Sequence, residues 1–249
     1  MRKYPVGIQT FERIIKDGFI YVDKTDLVWQ LAHYATFVFM SRPRRFGKSL
    51  LTSTLDSYFK GDREFDLSVA KGQDSAEDLR ETLMWMMQPL VDIYGRREAD
   101  ETTPGKLLTG LIRRAKEKTG RQVVVIIDEY DAPLLDTLHD QASLDAMRKV
   151  MQEFYVPLKA NEAYIKFCFI TGITKFSQLS IFSTINNLKN VSLLPRFATI
   201  CGFTEQEVRT VFKEDIEVMA KDFKLAPEAM YAKIKLKYDG YHFAGGAEA

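Results

Sequence analysis

Gly47-Lys48-Ser49 have the types and spacing that close a phosphate-binding (Walker A) loop of the form G-x-x-x-x-G-K-[ST]. Such a loop aims backbone N–H groups at an anion, with a helix N-terminus behind them and one mobile cation beside them. Gly47 suits the entry to the helix, where a positive φ is needed. Lys48 would reach the β- and γ-phosphates, and the Ser49 hydroxyl would be a ligand of Mg²⁺. The pattern therefore predicts a site for a nucleoside triphosphate and Mg²⁺.

The loop departs from the pattern at its opening position, where Arg42 stands in place of glycine. Most donors to phosphate are backbone amides, which every residue except proline supplies, so Arg42 costs conformational freedom but removes no donor. Pro43 does lack the N–H, and it stiffens the entry. Two further arginines either add charge near a triphosphate or point towards solvent or a partner. The predicted nucleotide-binding residues are Arg44, Arg45, Phe46, Gly47, Lys48, Ser49 and Leu50.

A second candidate for chemistry is the stretch "VVVIIDEYD" at 123–131. Five β-branched aliphatic residues in a row predict a strand that is buried on both faces, and ligands of open α/β sheets bind at the carboxyl ends of such strands. As a Walker B strand, it would place Asp128 at the hydration shell of Mg²⁺. Glu129 would orient and deprotonate an attacking water. Asp131 either supports these groups or is an ordinary turn carboxylate.

A third candidate is Thr171, which closes the apolar strand predicted at 164–172 and could sense a γ-phosphate. A threonine at a strand end is also ordinary. GKS alone and a strand ending in Asp-Glu alone are both common, but their order and contexts together favour nucleotide chemistry. The predicted catalytic residues are Glu129, Lys48 and Thr171, and the predicted metal ligands are Ser49 and Asp128.

The elements that must position these residues follow from hydrophobic periodicity and from turn and capping signals. Strands are predicted at 35–41, 123–128 and 164–172, with a short one in 195–201. Helices are predicted at 10–18, from Asp23 or Thr25, at 47–60, 75–96, 106–118 and 140–159, from Thr204, and at 226–238. The polar residues 62–72 leave the secondary structure of that stretch ambiguous. The alternation predicts an α/β P-loop NTPase fold with a largely parallel central sheet flanked by helices. The predicted units are an α/β domain at 1–202 and a small helical C-terminal region at 203–249.

Composition limits the other function classes. The chain has 249 residues and a formal net charge of +1, so the whole molecule offers no basic field for nucleic acid. The two cysteines, Cys168 and Cys201, lie in apolar runs and predict buried thiols in a reducing compartment. The sequence shows neither a signal peptide nor a membrane-spanning run, which favours a cytoplasmic protein. Scattered histidines favour neither a zinc site nor a Ser/His/Asp triad.

With these residues assembled, the chain resembles the bacterial AAA-ATPase-like proteins. The resemblance is carried, in order along almost the whole chain, by "YPVGIQTFERIIKDGFIYVDKT", "SRPRRFGKSLL", "VVVIIDEYDAPL", "FITGITKFS", "FSTINNLKNVS", "CGFTEQEV" and "YDGYHF". It implies that Arg42 is the family's usual residue, that the nucleotide is ATP, and that Lys48, Ser49, Asp128 and Glu129 serve it. Members often carry a C-terminal PD-(D/E)XK-type nuclease domain.

The chain departs from the resemblance in two places. Members usually have a longer segment before the "DLS" stretch at 66–68, so residues are expected to be absent near 65–66 and the sheet to have one strand fewer. The chain is also expected to stop before a nuclease domain, because it shows no D…(D/E)-x-K pair in a strand context. Nuclease activity is therefore not predicted for these residues.

Three functions remain open from the sequence. The first is an Mg²⁺-dependent ATPase that regulates an attached or partner domain. The second is a nucleotide-binding switch or interaction module with little turnover. The third is a component of a nucleic-acid-directed defence or mobile-element system, which only the loop arginines and the resemblance support. An oligomer is possible, and Arg196 is one candidate for an arginine supplied in trans.

Overall fold

The computed structural model describes most of the chain. The described residues are 3–60, 63–68, 72–73, 75–135, 137–173 and 187–238.

A five-stranded sheet with every strand pair parallel forms the centre of the fold. Its strands are β1 (Phe37–Ser41), β2 (Arg63–Asp66), β3 (Val123–Ile127), β4 (Ile165–Gly172) and β5 (Lys189–Asn190). Their order is β2-β3-β4-β1-β5, so β4 lies between the strand that precedes the 42–47 loop and the strand that precedes Asp128. The prediction of an α/β fold with a largely parallel sheet is confirmed.

Eleven described helices accompany the sheet. In chain order they are α1 (Phe11–Lys16), α2 (Thr25–Ala32), α3 (Lys48–Tyr58), α4 (Ala76–Met86), α5 (Gln88–Tyr94), α6 (Pro104–Thr119), α7 (Ala132–Leu135), α8 (Gln141–Ala160), α9 (Glu205–Val211), α10 (Lys213–Asp222) and α11 (Pro227–Tyr238). Single 3₁₀ turns occur at Glu162–Tyr164 and Pro195–Phe197.

Alternate residues of β3 face two separate hydrophobic clusters, one on each side of the sheet. Val123, Val125 and Ile127 pack into a cluster that includes residues of α4, α6 and α8. Val124 and Ile126 pack into a second cluster with residues of α2 and α3. All five residues of the strand are buried, because a parallel strand covered by helices on both faces has no solvated side. This two-sided core holds the carboxyl ends of the strands in place, and the candidate site lies at those ends.

Three local predictions are wrong or incomplete. The helix predicted at 75–96 is two helices, α4 and α5, with Pro89 in the first turn of the second, where a proline is compatible with a helix start. The strand predicted in 195–201 is wrong: that segment begins with a 3₁₀ turn at Pro195–Phe197. The polar stretch 62–72 contains β2, which pairs with β3 at the edge of the sheet.

The C-terminal helices α9 to α11 form a small cluster of their own, with Ile216, Ala220 and Met230 at its centre. The predicted capping box at Thr204 and Glu207 is present in both directions. Glu207 also pairs with Lys24, at an oxygen–nitrogen distance of 2.9 Å, and so connects this cluster to the start of α2. A helical C-terminal region is therefore present, while a domain boundary at 202/203 stays a prediction.

Candidate functional site

The 42–47 loop leaves the end of β1 and enters α3 through Gly47, which adopts the left-handed conformation at φ 89°. Arg45 is also left-handed, at φ 61°, which is uncommon for a residue with a Cβ. Phe46, between them, is half-buried and packs against the core cluster beneath α3. The loop is thus a tight turn anchored by one aromatic side chain. Arg44 and Arg45 are exposed on it.

Lys48 begins α3 and lies inside this loop. Its side chain is almost buried, with 5% of the residue exposed. The ammonium donates a hydrogen bond to the Pro43 carbonyl oxygen at 3.0 Å. A cation held over the turn at a helix N-terminus is the arrangement that attracts a phosphate group.

Ser49 and Asp128 join the two predicted motifs. The Ser49 hydroxyl donates to Asp128 Oδ2 at 2.6 Å, although the residues are 79 positions apart in the chain. Asp128 is 8% exposed. Its backbone N–H donates to the hydroxyl of Ser68, just beyond β2, at 2.8 Å. The two residues predicted to ligate Mg²⁺ therefore lie side by side at the carboxyl ends of the parallel strands.

Glu129 follows Asp128 in a left-handed backbone conformation, φ 52°. Its N–H donates to Asp128 Oδ1 at 2.9 Å. Glu129, Asp128 and Ser49 all line one cavity of about 650 Å³. The other residues that line the cavity are mostly polar: Gln9, Thr10, Thr52, Ser53, Asp56, Asp66, Ser68 and Ile126. A carboxylate beside the two predicted metal ligands and on the lining of a polar cavity has the position that a general base would need.

Thr171 lies near the end of β4 and pairs with Met40 near the end of β1. It is fully buried, and its hydroxyl oxygen has no hydrogen-bond partner in the described part of the chain. A buried hydroxyl without a partner is uncommon, and a bound ligand is one way to satisfy it. Because β4 lies between β1 and β3, the end of β4, where Thr171 stands, lies between the start of the 42–47 loop and Asp128.

The oxygen donors of this site fit Mg²⁺ better than a transition metal. In the described ranges, no group of three or more His, Cys, Asp or Glu side chains could hold a metal ion. Mg²⁺ is usually held by one or two protein oxygens together with substrate phosphates and waters, and Ser49 and Asp128 supply that number.

A model of the AAA-ATPase-like family, described as "Predicted AAA-ATPase", matches residues 5–68 and 63–182. The two ranges include the 42–47 loop, Asp128 and Thr171. The chain belongs to the AAA-ATPase-like family. Membership supports an ATP-binding, ATPase-like function.

One curated relative of this AAA-ATPase-like chain is an "Uncharacterized protein in vnfD 5'region" from Azotobacter chroococcum mcd 1. It is 32% identical over 270 residues, which cover 99% of this chain and 50% of the relative. The chain therefore spans about half the length of that protein. The 270 aligned positions exceed the 249 residues here, so at least 21 positions of the relative have no counterpart in this chain. A shortened segment near 65–66 is consistent with this and stays a prediction.

None of the described helices of this AAA-ATPase-like chain has the length and apolar character needed to cross a membrane.

Two supporting residues of the AAA-ATPase-like site could not be assigned from sequence. Asp131 is fully buried, and its carboxylate accepts the backbone N–H of Ile173, at 3.1 Å to the nearer oxygen. Gly172 lies against it: an added Cβ would be 2.5 Å from both Asp131 Oδ1 and Tyr130 Cδ1. Asp131 thus supports the end of β4. The turn after β3 packs so closely on β4 that any side chain at position 172 would overlap Asp131 and Tyr130. The sequence left Asp131 either as a support for the nucleotide groups or as a turn carboxylate. Its contacts with Ile173 and Gly172 place it against the end of β4, and a part in nucleotide binding stays a prediction.

Gly172→Ala is expected to destabilise the fold by about 1–3 kcal/mol, because the methyl group overlaps a buried carboxylate and a buried ring. The glycine backbone is outside the left-handed region, so the steric overlap is the main effect. For a chain of this size the midpoint of thermal unfolding is expected to fall by about 2–12 °C. Circular dichroism measures it. A midpoint equal to that of the wild type would show that the turn moves aside at no cost.

Proposed function

We propose that this chain binds ATP with Mg²⁺ and hydrolyses it at the edge of the sheet formed by the ends of β1, β3 and β4. The single observation that carries the proposal is the 2.6 Å contact between the Ser49 hydroxyl and Asp128, which brings the glycine-ended loop and the acidic strand end into one site. Family membership supports ATP as the nucleotide.

The nucleotide-binding part is assigned to the 42–47 loop, Lys48, Ser49 and Leu50. The loop and the N-terminus of α3 would hold the phosphates through backbone N–H groups, favoured by the helix dipole. Lys48, now bonded to the neutral Pro43 carbonyl, would exchange this contact for a charged phosphate oxygen. Arg44 and Arg45 are exposed beside the loop, where their charge adds to the attraction of an anion.

The metal-binding and catalytic parts are assigned to four residues. Ser49 and Asp128 would hold Mg²⁺, which neutralises charge on the phosphates when it is bound. Glu129 would orient a water and take its proton, since its carboxylate lines the cavity next to Asp128. Thr171 would donate its unpartnered hydroxyl to the γ-phosphate.

A titration with ATP, ADP and GTP, with and without Mg²⁺, tests this assignment. Wild-type affinity for ATP is expected to rise about tenfold or more when Mg²⁺ is present, equivalent to about 1.4 kcal/mol. Asp128→Asn keeps an oxygen that can accept from Ser49 but removes the charge, so it should retain Mg²⁺-free binding and lose most of the gain. Isothermal titration calorimetry measures both. ATP affinity that does not respond to Mg²⁺ in the wild type would contradict the metal assignment, and no binding at all would contradict the function.

We propose further that the nucleotide state regulates an attached or partner domain. The relative is about twice the length of this chain, so the matched unit occurs there beside additional sequence. In this chain the helices α9 to α11 are linked to the start of α2 through Lys24 and Glu207. ATP binding without hydrolysis would serve such a switch as well. A measurement of phosphate release by the wild type distinguishes a switch that hydrolyses ATP from one that only binds it.

A further inference from the structure

The side chain of Arg42, at the position where the phosphate-loop pattern has glycine, turns away from the loop and into the protein. Arg42 is 2% exposed. One terminal nitrogen donates to the carbonyl oxygens of Ser41, at 3.0 Å, and Ser192, at 2.8 Å. The other donates to the carbonyl oxygens of Phe197, at 3.1 Å, and Ala198, at 3.4 Å. The guanidinium thus spans the strand end and the segment after β5.

The backbone around Arg42 is tied to the same surroundings. The N–H of Arg42 donates to the carbonyl oxygen of Gly172 at the end of β4, at 3.1 Å. The N–H of Ser41 donates to the hydroxyl of Ser192 at 2.8 Å. The first residue of the loop is therefore held from two sides, by β4 and by the 192–198 segment, which follows the edge strand β5.

Among the described residues, no carboxylate pairs with the charge of Arg42. Across the described ranges, every hydrogen-bond acceptor of its side chain is a neutral backbone carbonyl. A buried cation without a counter-ion is costly, and such groups are rare in cores. Lys48, at the other end of the same loop, is also nearly buried, and its ammonium donates to a neutral carbonyl, that of Pro43. A bound polyphosphate would supply the negative charge that is missing among the hydrogen-bond partners described for these two cations.

We propose that Arg42 is a positioning residue of the nucleotide site: its guanidinium fixes the entry of the 42–47 loop on the 192–198 segment, and the loop holds ATP only when it is fixed there. The inference rests on the proposed function. Replacing Arg42 with the glycine of the phosphate-loop pattern should therefore weaken ATP binding, although the motif alone would suggest that glycine improves it. The guanidinium of arginine donates from two separate terminal nitrogens in a fixed planar geometry, whereas a lysine ammonium must donate from a single atom.

The test compares wild type, Arg42→Gly and Arg42→Lys by calorimetric titration with Mg²⁺-ATP. Arg42→Gly is expected to raise the Kd about tenfold or more, because charged hydrogen bonds of a buried fork are lost. Arg42→Lys should fall between the two. Adding guanidinium chloride at low millimolar concentration should restore part of the affinity of Arg42→Gly, whereas the same concentration of sodium chloride should not. A purely structural defect would lower the unfolding midpoint without this selective rescue.

Each outcome decides the inference. Arg42→Gly that binds ATP as tightly as wild type, or more tightly, overturns it and leaves the proposed function standing. If Arg42→Gly does not fold, Arg42→Lys decides: an affinity equal to wild type overturns the positioning role, and a loss of about threefold or more supports it. A wild type that binds no ATP removes the proposed function and this inference with it. Weakened binding that guanidinium and sodium chloride restore equally also overturns the inference.

Discussion

Replacing Glu129 with glutamine is expected to lower kcat for ATP hydrolysis by about 100- to 10,000-fold, the range for loss of a general base. Glutamine keeps the size of the side chain but cannot take a proton from water. The affinity for Mg²⁺-ATP should change by less than about threefold, since Ser49, Asp128 and Lys48 are untouched. A split of this kind, with kcat lost and binding kept, identifies a group that acts mainly in the transition state.

The matched control is Asp56→Asn. Asp56 lines the same cavity as Glu129, but it is exposed on the last turns of α3 and lies away from the loop. Its replacement changes the charge of the cavity by the same amount, so kcat should stay within about twofold of wild type. Phosphate release under single- and multiple-turnover conditions measures both variants. Glu129→Gln with wild-type turnover would remove Glu129 as the base. A wild type that binds ATP but does not release phosphate would favour the binding switch.

Lys48→Ala is the second large expected effect, on binding instead of turnover. The Kd for Mg²⁺-ATP should rise about 100-fold, because the nearly buried ammonium is the cation held inside the loop and its bond to phosphate is charge-assisted. The loss should be larger for ATP than for ADP, since the lysine is assigned to the β- and γ-phosphates. Fold stability should change little, because the ammonium gives up one hydrogen bond to a carbonyl.

Lys60→Ala is a suitable control for Lys48→Ala. Lys60 is two residues beyond α3, exposed, and paired with Glu12. Its loss changes the net charge equally, so a general electrostatic effect would appear in both variants. Titrations at two salt concentrations separate local contact from this general effect. Equal affinities of wild type and Lys48→Ala for ATP would contradict the assignment of the loop.

Arg196, one candidate for an arginine acting in trans, has a partner within its own chain. Its Nε donates to Gln30 at 2.8 Å, and its guanidinium lies over the ring of Phe197 at 5.6 Å. A role in trans would require these contacts to break, and it stays a prediction together with any oligomer.

Most of the fold could be predicted from local pattern, and the exceptions have physical causes. β1, β3 and β4 are apolar enough to be recognised as buried strands, and the capping box at Thr204 marks its helix unambiguously. β2 and β5 have four and two residues and polar compositions. Edge strands of that length gain stability mainly from the neighbours they pair with, so their own residues carry no periodic signal.

The groups available for chemistry can be read from the amino-acid sequence: a lysine, a hydroxyl, two adjacent carboxylates and a strand-closing threonine, each after a recognisable strand or before a helix. Those signals are local, because side-chain type and hydrophobic period are properties of consecutive residues. The contact of Ser49 with Asp128, the room that Gly172 leaves for Asp131, and the hydrogen bonds of Arg42 to the 192–198 segment exist only in the folded chain, because each joins residues far apart in sequence. The partners of Arg42 are backbone carbonyls, which every residue carries, so no choice of amino acid at those positions could reveal the contact.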